Sequence, residues 1–296
     1  RRRARAVPFK GRFSTGTLWM MAAAASFVVM AASAKALPRL PTLEKVFFRC
    51  LISIALTLWA MKSVKQLPRP KRWGLLTLRA VLGFAGLACY FEAIARMPLG
   101  TAVTIYNVNP VFAGIFGVLF LGEAFRLRQG LTVAIGLVGV ALVKGFNPSV
   151  TWDGVAFAMG TAIFSAAAYS SVRKLTESEH SLTIVIAFPL IALPLSALFG
   201  GSSFLMPSDF EWLWLLLLGV STQVGQVCLT HGLRHHTASR AMQISYLGVI
   251  FAMGLGVLMG DAAPGAWEMI GALLIVGSVA FGKVNSSKTS STSARG

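Results

Sequence analysis

Six long stretches of the chain contain no Asp, Glu, Lys or Arg, and they constrain the fold more than any other feature. They cover residues 13–34, 97–122, 154–172, 181–208, 212–233 and 241–260. A helix of about 20 apolar residues crosses the roughly 30 Å hydrocarbon core of a bilayer, and each stretch is long enough to supply one. The chain is 55% hydrophobic and 12% charged, whereas soluble domains carry about 25% charged residues. The sequence therefore predicts a polytopic membrane protein with the lipid bilayer as its environment.

Shorter apolar runs fill the gaps between these stretches and bring the predicted total to ten transmembrane helices. The predicted bounds are 16–36, 43–61, 73–95, 99–121, 127–144, 153–173, 182–200, 210–231, 238–260 and 265–282. The predicted fold class is an all-α membrane protein. Little chain remains outside these helices, which leaves no room for a soluble catalytic domain.

The net charge of +17 is a signal of topology rather than of nucleic-acid binding. With ten spans, both termini and the even-numbered loops lie on one side of the membrane. That side holds 20 of the 27 Lys and Arg residues, the other side holds 5, and Arg49 and Arg79 lie inside spans. The positive-inside rule then places both termini in the cytoplasm of a multi-pass inner-membrane protein.

The two ends of the chain are predicted to lie outside the spans. Residues 1–15 form a basic cytoplasmic segment, and residues 284–296 form a small polar tail expected to be disordered. The first 36 residues also resemble a secretory signal, with a small-residue cleavage motif at Ala32, Ser33 and Ala34. We favour retention as the first helix, because the apolar run is long for a signal peptide.

The sequence repeats itself at an offset of 138 residues. The same offset aligns Gly16 with Gly154 near the start of each half, and "FLGEA" with "LMGDA" near residues 123 and 261. Two predicted domains follow, a first repeat at 16–144 and a second at 145–283. Each half has five helices, an odd number, so the two copies insert upside down relative to each other. Inverted repeats are typical of secondary transporters, whose substrate site lies near the midplane between the repeats.

Several motifs resemble those of the drug/metabolite transporter superfamily, and specifically its EamA-type members. The motifs are "LPTLEKVFFRC" at the second predicted helix, "PLGTAVTIYNVNPVFAGIFGVLFLGE" across the fourth, and the Gly-rich fifth and tenth helices. The likeness extends over about residues 16–282. It implies ATP-independent transport of amino acids, nucleotide-like metabolites, vitamins or drugs, and it favours amino acid export.

Polar residues and a proline interrupt the fourth predicted helix close to the bilayer centre. From Leu99 to Asn107 is about 12 Å of helix. Pro110 removes one backbone hydrogen bond, and it crowds the carbonyl of Tyr106. Irregular backbone at this depth is tolerated where it lines a cavity, so Asn107 and Asn109 are predicted substrate-binding residues. A plain kink with both amides bonded to neighbouring helices is the alternative.

The repeat offset selects further candidates in the second half. Asn107 aligns with Ser245, which has Gln243 and Tyr246 close by, and Gly248 follows as a predicted flexible point. In the eighth predicted helix, Gln223 and Gln226 are three residues apart and so share a face. We predict that these polar residues bind substrate, whereas interhelical hydrogen bonds are the simpler interpretation of the two glutamines.

Charged and aromatic residues inside spans complete the candidate site. Glu92 is a candidate for substrate binding or proton coupling, since an acid in a span is costly, but Arg96 at i+4 makes a structural ion pair equally plausible. Tyr90 and Tyr169 are candidate contacts, because a buried hydroxyl needs a partner.

Arg49 and Arg79 have three interpretations, namely snorkelling toward the interface, pairing with Glu44, or attraction of a carboxylate substrate. Snorkelling is favoured for Arg79 and less clearly for Arg49.

Other function classes find little support in the sequence. His231, His235 and His236 lack an accompanying cysteine or carboxylate at metal-site spacing, so no metal is predicted. The sequence contains no phosphate-binding GxxxxGK[ST] loop and no GxSxG or HExxH motif. We therefore expect a transporter of small molecules that is not an enzyme and has no cofactor, with proton coupling left open. A channel-like facilitator is the main alternative, and a monomer is compatible with the sequence.

Overall fold

The computed structural model describes residues 15–63, 70–112, 115–116, 127–145, 147–235 and 246–283. The terminal segments predicted at 1–15 and 284–296 lie almost entirely outside these residues. Ten α-helices with defined bounds lie in the described part of the chain. They are α1 (Thr15–Lys35), α2 (Thr42–Ser63), α3 (Trp73–Arg96), α4 (Leu99–Tyr106), α5 (Leu127–Lys144), α6 (Trp152–Leu175), α7 (Ser181–Gly200), α8 (Asp209–His235), α9 (Leu247–Leu258) and α10 (Ala266–Lys283).

Six of these helices are long and apolar enough to cross a membrane. The segments are Thr15–Lys35, Thr42–Ser63, Trp73–Arg96, Trp152–Val172, Ser181–Ser203 and Asp209–Gly232. Shorter apolar helices lie at Ala134–Lys144, Leu247–Leu258 and Ala266–Ser278. Exposed Leu, Ile, Phe and Trp side chains are numerous on the outer surface, as expected for helices that face lipid rather than water.

The largest helix contacts are preserved when the first five helices are exchanged with the last five. The contact of α1 with α8 corresponds to that of α3 with α6, and the contact of α1 with α9 corresponds to that of α4 with α6. The pairs α2 with α7, α4 with α9 and α5 with α10 are each their own counterpart. One continuous apolar core contains buried residues from both sets of helices, so the two halves form a single body.

The links between helices show the direction in which each half runs. The segments that follow α1, α3 and α9 and the segment that precedes α6 together line one cavity, which includes Lys35, Met97, Ser149 and Asp261. We call this end of the bundle the Lys35 face. Since α1 ends there and α6 begins there, the corresponding helices of the two halves are antiparallel. At the opposite end, Glu179 accepts hydrogen bonds from the backbone N–H groups that precede α3.

Helix bounds agree closely with the sequence for most elements, but α4 ends earlier than expected. The helix predicted at 99–121 ends at Tyr106, continues as a turn through residues 107–108, and is helical again at 109–112. The helix predicted at 238–260 is described from Leu247 onward, because residues 236–245 lie outside the described part. The interruption of α4 lies close to the centre of the bundle.

Candidate functional site

A cavity of about 130 Å³ lies in the middle of the bundle, between helices of both halves. Its walls come from the central turns of α1, α3, α6 and α8, from the broken end of α4, and from α7 and α9. Several lining residues carry polar groups, namely Arg79, Tyr90, Tyr106, Asn107, Asn109, Thr161, Ser165, Tyr169 and Gln226. The lining also contains apolar side chains, so a ligand here would meet both hydrogen-bonding and hydrophobic surface.

Six of the sequence-predicted site residues line this cavity. They are Tyr90, Asn107, Asn109, Tyr169, Gln226 and Gly248. These residues are distributed over α3, α4, α6, α8 and α9, and they are up to 158 positions apart along the chain. The tertiary fold therefore brings most of the predicted residues that it describes to one place.

The end of α4 explains how Asn107 reaches the cavity. The Asn107 side-chain nitrogen donates to the carbonyl of Val103 at 2.6 Å, and its backbone N–H bonds to Val103 and Thr104. Val108 N–H then bonds to Ile105, which tightens the last turn. Pro110 has no N–H to offer the carbonyl four residues earlier, so the regular helix ends at Tyr106.

Three tyrosines form a contiguous aromatic wall across the two halves. The hydroxyl groups of Tyr106 in α4 and Tyr169 in α6 are hydrogen-bonded at 2.9 Å. The rings of Tyr90 and Tyr106 pack with centroids 5.7 Å apart. This wall offers a planar or apolar ligand a surface to pack against, and it offers hydroxyl groups near its edge.

Two predicted site residues lie away from the cavity. The Gln223 amide bonds to Ser53 at 3.1 Å and to Thr57 at 2.8 Å, so it joins α8 to α2. Glu92 pairs with Arg96 one turn later, and the two side chains are 28% and 37% exposed. For both residues the simpler interpretation describes the observed contacts, because their polar groups are directed at other helices or at their own helix.

The remaining candidates come directly before α9 in the sequence. Gln243 and Ser245 lie outside the described residues. Tyr246 packs against the main apolar core, and its hydroxyl finds no partner among the described residues. It does not belong to the cavity wall as the described residues define it.

Two buried arginines lie deeper in the bundle than the favoured sequence interpretation predicts. The expectation that Arg79 snorkels to the interface is wrong, since it is 4% exposed, lines the cavity and donates to Gln226 at 3.2 Å. Arg49 is 3% exposed and donates to Thr222 at 2.9 Å. Both guanidinium groups lie over the ring of Phe188. A cation well inside a predicted span is a sequence signal of a functional site. No feature of the sequence indicated that Phe188 would pack against both arginines.

The fold and the central cavity define a multi-pass membrane transporter. The chain belongs to the EamA-like transporter family, whose model matches it twice, at residues 14–145 and 152–282.

Named relatives and a solved structure agree with this assignment. The pseudopaline exporter CntI of Pseudomonas aeruginosa strain UCBPP-PA14 is 33% identical over 265 residues, which cover 88% of this chain and 93% of the exporter. A riboflavin transporter of Vibrio cholerae is 25% identical, with 90% of this chain and 92% of that protein covered. One crystal structure matches 94% of this chain and 99% of its own with a TM-score of 0.69 at 21% identity, which shows a shared fold.

Proposed function

We propose that this protein is a secondary transporter that moves small organic metabolites across the inner membrane by alternating access. The observation that carries the proposal is the central cavity, which lies between the two halves and includes the broken end of α4. Inverted-repeat transporters bind substrate at such a midplane junction, beside a discontinuous helix. The proposal includes no cofactor. It leaves open whether transport is coupled to protons.

The proposed topology has ten transmembrane helices in two inverted repeats, at 16–144 and 145–283. The antiparallel directions of α1 and α6 support the inversion, as does the exchange symmetry of the helix contacts. The bias of Lys and Arg in the sequence supports cytoplasmic termini, which places the Lys35 face outside.

Contacts between the halves at the Lys35 face support a closed gate there. Lys35 forms an ion pair with Asp261, and the second carboxylate oxygen of Asp261 accepts the N–H of Leu99 at 2.8 Å. Nearby, the Glu268 carboxylate of the second half accepts from the Thr101 hydroxyl of the first half at 3.4 Å. In the proposed mechanism these contacts break when the halves rock and the cavity opens to the outside, while the α4 break and Gly248 accommodate the bending.

Amino acids remain the substrate class that the sequence favours, but the relatives widen the range. One relative is named for the export of pseudopaline and another for riboflavin transport. The exporter relative supports an outward direction of net transport for this chain. The runner-up functions are transport of another metabolite class and channel-like facilitation.

Counterflow in proteoliposomes tests the transport mechanism. Vesicles that contain the full chain are preloaded with a mixed pool of unlabelled metabolites, and labelled amino acids are added outside. We expect saturable uptake that requires internal substrate and that falls in Asn107→Ala. Uptake that is linear with concentration and indifferent to preloading would favour a channel instead. The assay is repeated with labelled vitamins and other metabolites outside. If only these are taken up, the substrate is not an amino acid, and the carrier mechanism stands.

A further inference from the structure

The Arg79 side chain carries hydrogen-bond donors that no described protein group accepts. Its NH2 group bonds to Gln226, but Nε and the other terminal nitrogen are buried and without a partner among the described residues. Unpaired buried donors are rare in folded proteins, and those on charged groups are the most costly to leave unmet. Arg79 lines the central cavity, so a ligand bound there can reach the guanidinium group.

A second guanidinium group lies close to the first. Arg49 and Arg79 are 4.9 and 5.0 Å from the centroid of the same Phe188 ring, which puts the two cationic centres at most about 10 Å apart. One terminal nitrogen of Arg49 is also buried and lacks a partner in the described part of the chain. A negative charge bound near both groups would offset the repulsion between the two cations.

That negative charge does not come from the described protein residues around the cavity. None of the described lining residues of the central cavity is Asp or Glu. Asp261, the acid at the second cavity of about 440 Å³ on the Lys35 face, is paired with Lys35. The same second cavity contains Lys45 and Arg96, and Arg96 is paired with Glu92.

A purely structural role does not explain two charged residues at this position. The Arg79 contact joins α3 to α8 through a neutral amide, and a neutral donor would make the same link without placing a charge in the membrane interior. Buried charges without a partner destabilise a fold, whereas charges inside membrane bundles commonly mark the path of a substrate or ion.

We propose that Arg79, supported by Arg49, forms an anion-binding subsite, and that the transported substrate carries a carboxylate or phosphate group. This inference rests on the proposed transport function and specifies the substrate class for the same cavity. The anionic group accepts hydrogen bonds from Arg79, and the rest of the molecule packs against Tyr90, Tyr106 and Phe188. Compounds without a carboxylate or phosphate lack the group that the two arginines require.

Ligand-induced thermal stabilisation of the purified full-length protein in detergent tests the subsite. The probes are benzoate and succinate with their neutral counterparts benzamide and succinamide, together with phenyl phosphate. We expect at least one of the three anions to raise the melting temperature saturably, and neither amide to do so. The comparison of benzoate with phenyl phosphate then assigns the anion as carboxylate or phosphate.

Arginine variants locate the binding group. Arg79→Gln is expected to raise the half-saturating concentration of the effective anion about tenfold or more, since a hydrogen bond to a charged group is lost. Arg79→Lys retains the charge and should recover part of the binding, although it lacks the planar fork. The matched control is Arg39→Gln, which removes an exposed guanidinium that pairs with Glu211 far from the cavity.

A structural role for Arg79 gives a different set of results. It predicts that Arg79→Gln melts well below the native protein without ligand, and that no probe stabilises either form. Stabilisation by the amides to the same degree as by the anions would overturn the proposal, as would full retention of anion binding in an Arg49→Gln/Arg79→Gln variant. If counterflow succeeds only with substrates that carry neither a carboxylate nor a phosphate, the transport function stands and the anion subsite is wrong.

Discussion

Lys35 at the end of α1 and Asp261 after α9 form an ion pair that joins the two halves of the bundle at one face. The same lysine also donates to the carbonyl of Met97 at 3.3 Å, and Asp261 accepts the N–H of Leu99 at the start of α4. Three chain segments therefore meet at these two side chains, namely the end of α1, the link from α3 to α4, and the segment after α9. In a transporter that works by alternating access, contacts of this kind must break and re-form in every cycle.

Charge reversal at this pair is predicted to impair transport and to be partly rescued in the double variant. Asp261→Lys places two cations together and removes the acceptor of Leu99 N–H, so counterflow should fall at least about tenfold. Lys35→Asp/Asp261→Lys restores the attraction but not the Leu99 hydrogen bond, so recovery should be partial. Counterflow in proteoliposomes at matched protein density measures both. A double variant no better than Asp261→Lys would contradict a gating role for the pair.

Restoring the helix at Pro110 is predicted to stabilise the protein and to slow transport. Pro110→Ala supplies an N–H that can bond to the Tyr106 carbonyl, and one such bond contributes about 1 kcal/mol. If that bond must break for α4 to bend, the counterflow rate falls roughly fivefold while the melting temperature rises. Pro194→Ala is the control, because Pro194 lies inside α7 and does not line the cavity. Equal effects of both substitutions on transport would count against a local hinge.

The two glutamines of α8 are predicted to have separable roles. Gln223→Ala removes two hydrogen bonds to α2 and should lower the melting temperature, by an amount consistent with about 1 kcal/mol, with the half-saturating substrate concentration within about twofold of native. Gln226→Ala frees Arg79 in the cavity wall and should change the half-saturating concentration instead. Thermal unfolding and concentration-dependent counterflow distinguish the two. A large change in substrate affinity for Gln223→Ala would show that Gln223 takes part in substrate binding.

Glu92→Gln is predicted to leave transport nearly unchanged. The Glu92–Arg96 pair is partly exposed, and such pairs typically contribute about 0–1 kcal/mol to stability. Counterflow rates within about twofold of native are therefore expected, with and without an imposed proton gradient. Loss of the response to the gradient in this variant would instead identify Glu92 as the coupling group.

The sequence by itself determined the membrane class, most of the helix bounds and the family. Charge-free stretches of about 20 residues have few stable solutions other than membrane-spanning helices, because lipid cannot satisfy a bare backbone. The proline of the fourth helix predicted a break through a strictly local effect, the missing N–H. Composition and local backbone chemistry are readable from the chain because they depend on neighbours within a few positions.

The tertiary structure alone decided which polar groups share a cavity and which only join helices. Gln223 and Gln226 are three residues apart on one helix, yet one is directed at α2 and the other at Arg79. Arg49, Arg79 and Phe188 come from three different helices, and no sequence pattern links them. Their meeting depends on how α2, α3 and α7 pack, which is a long-range property, and it places two positive charges beside the space where a substrate would bind.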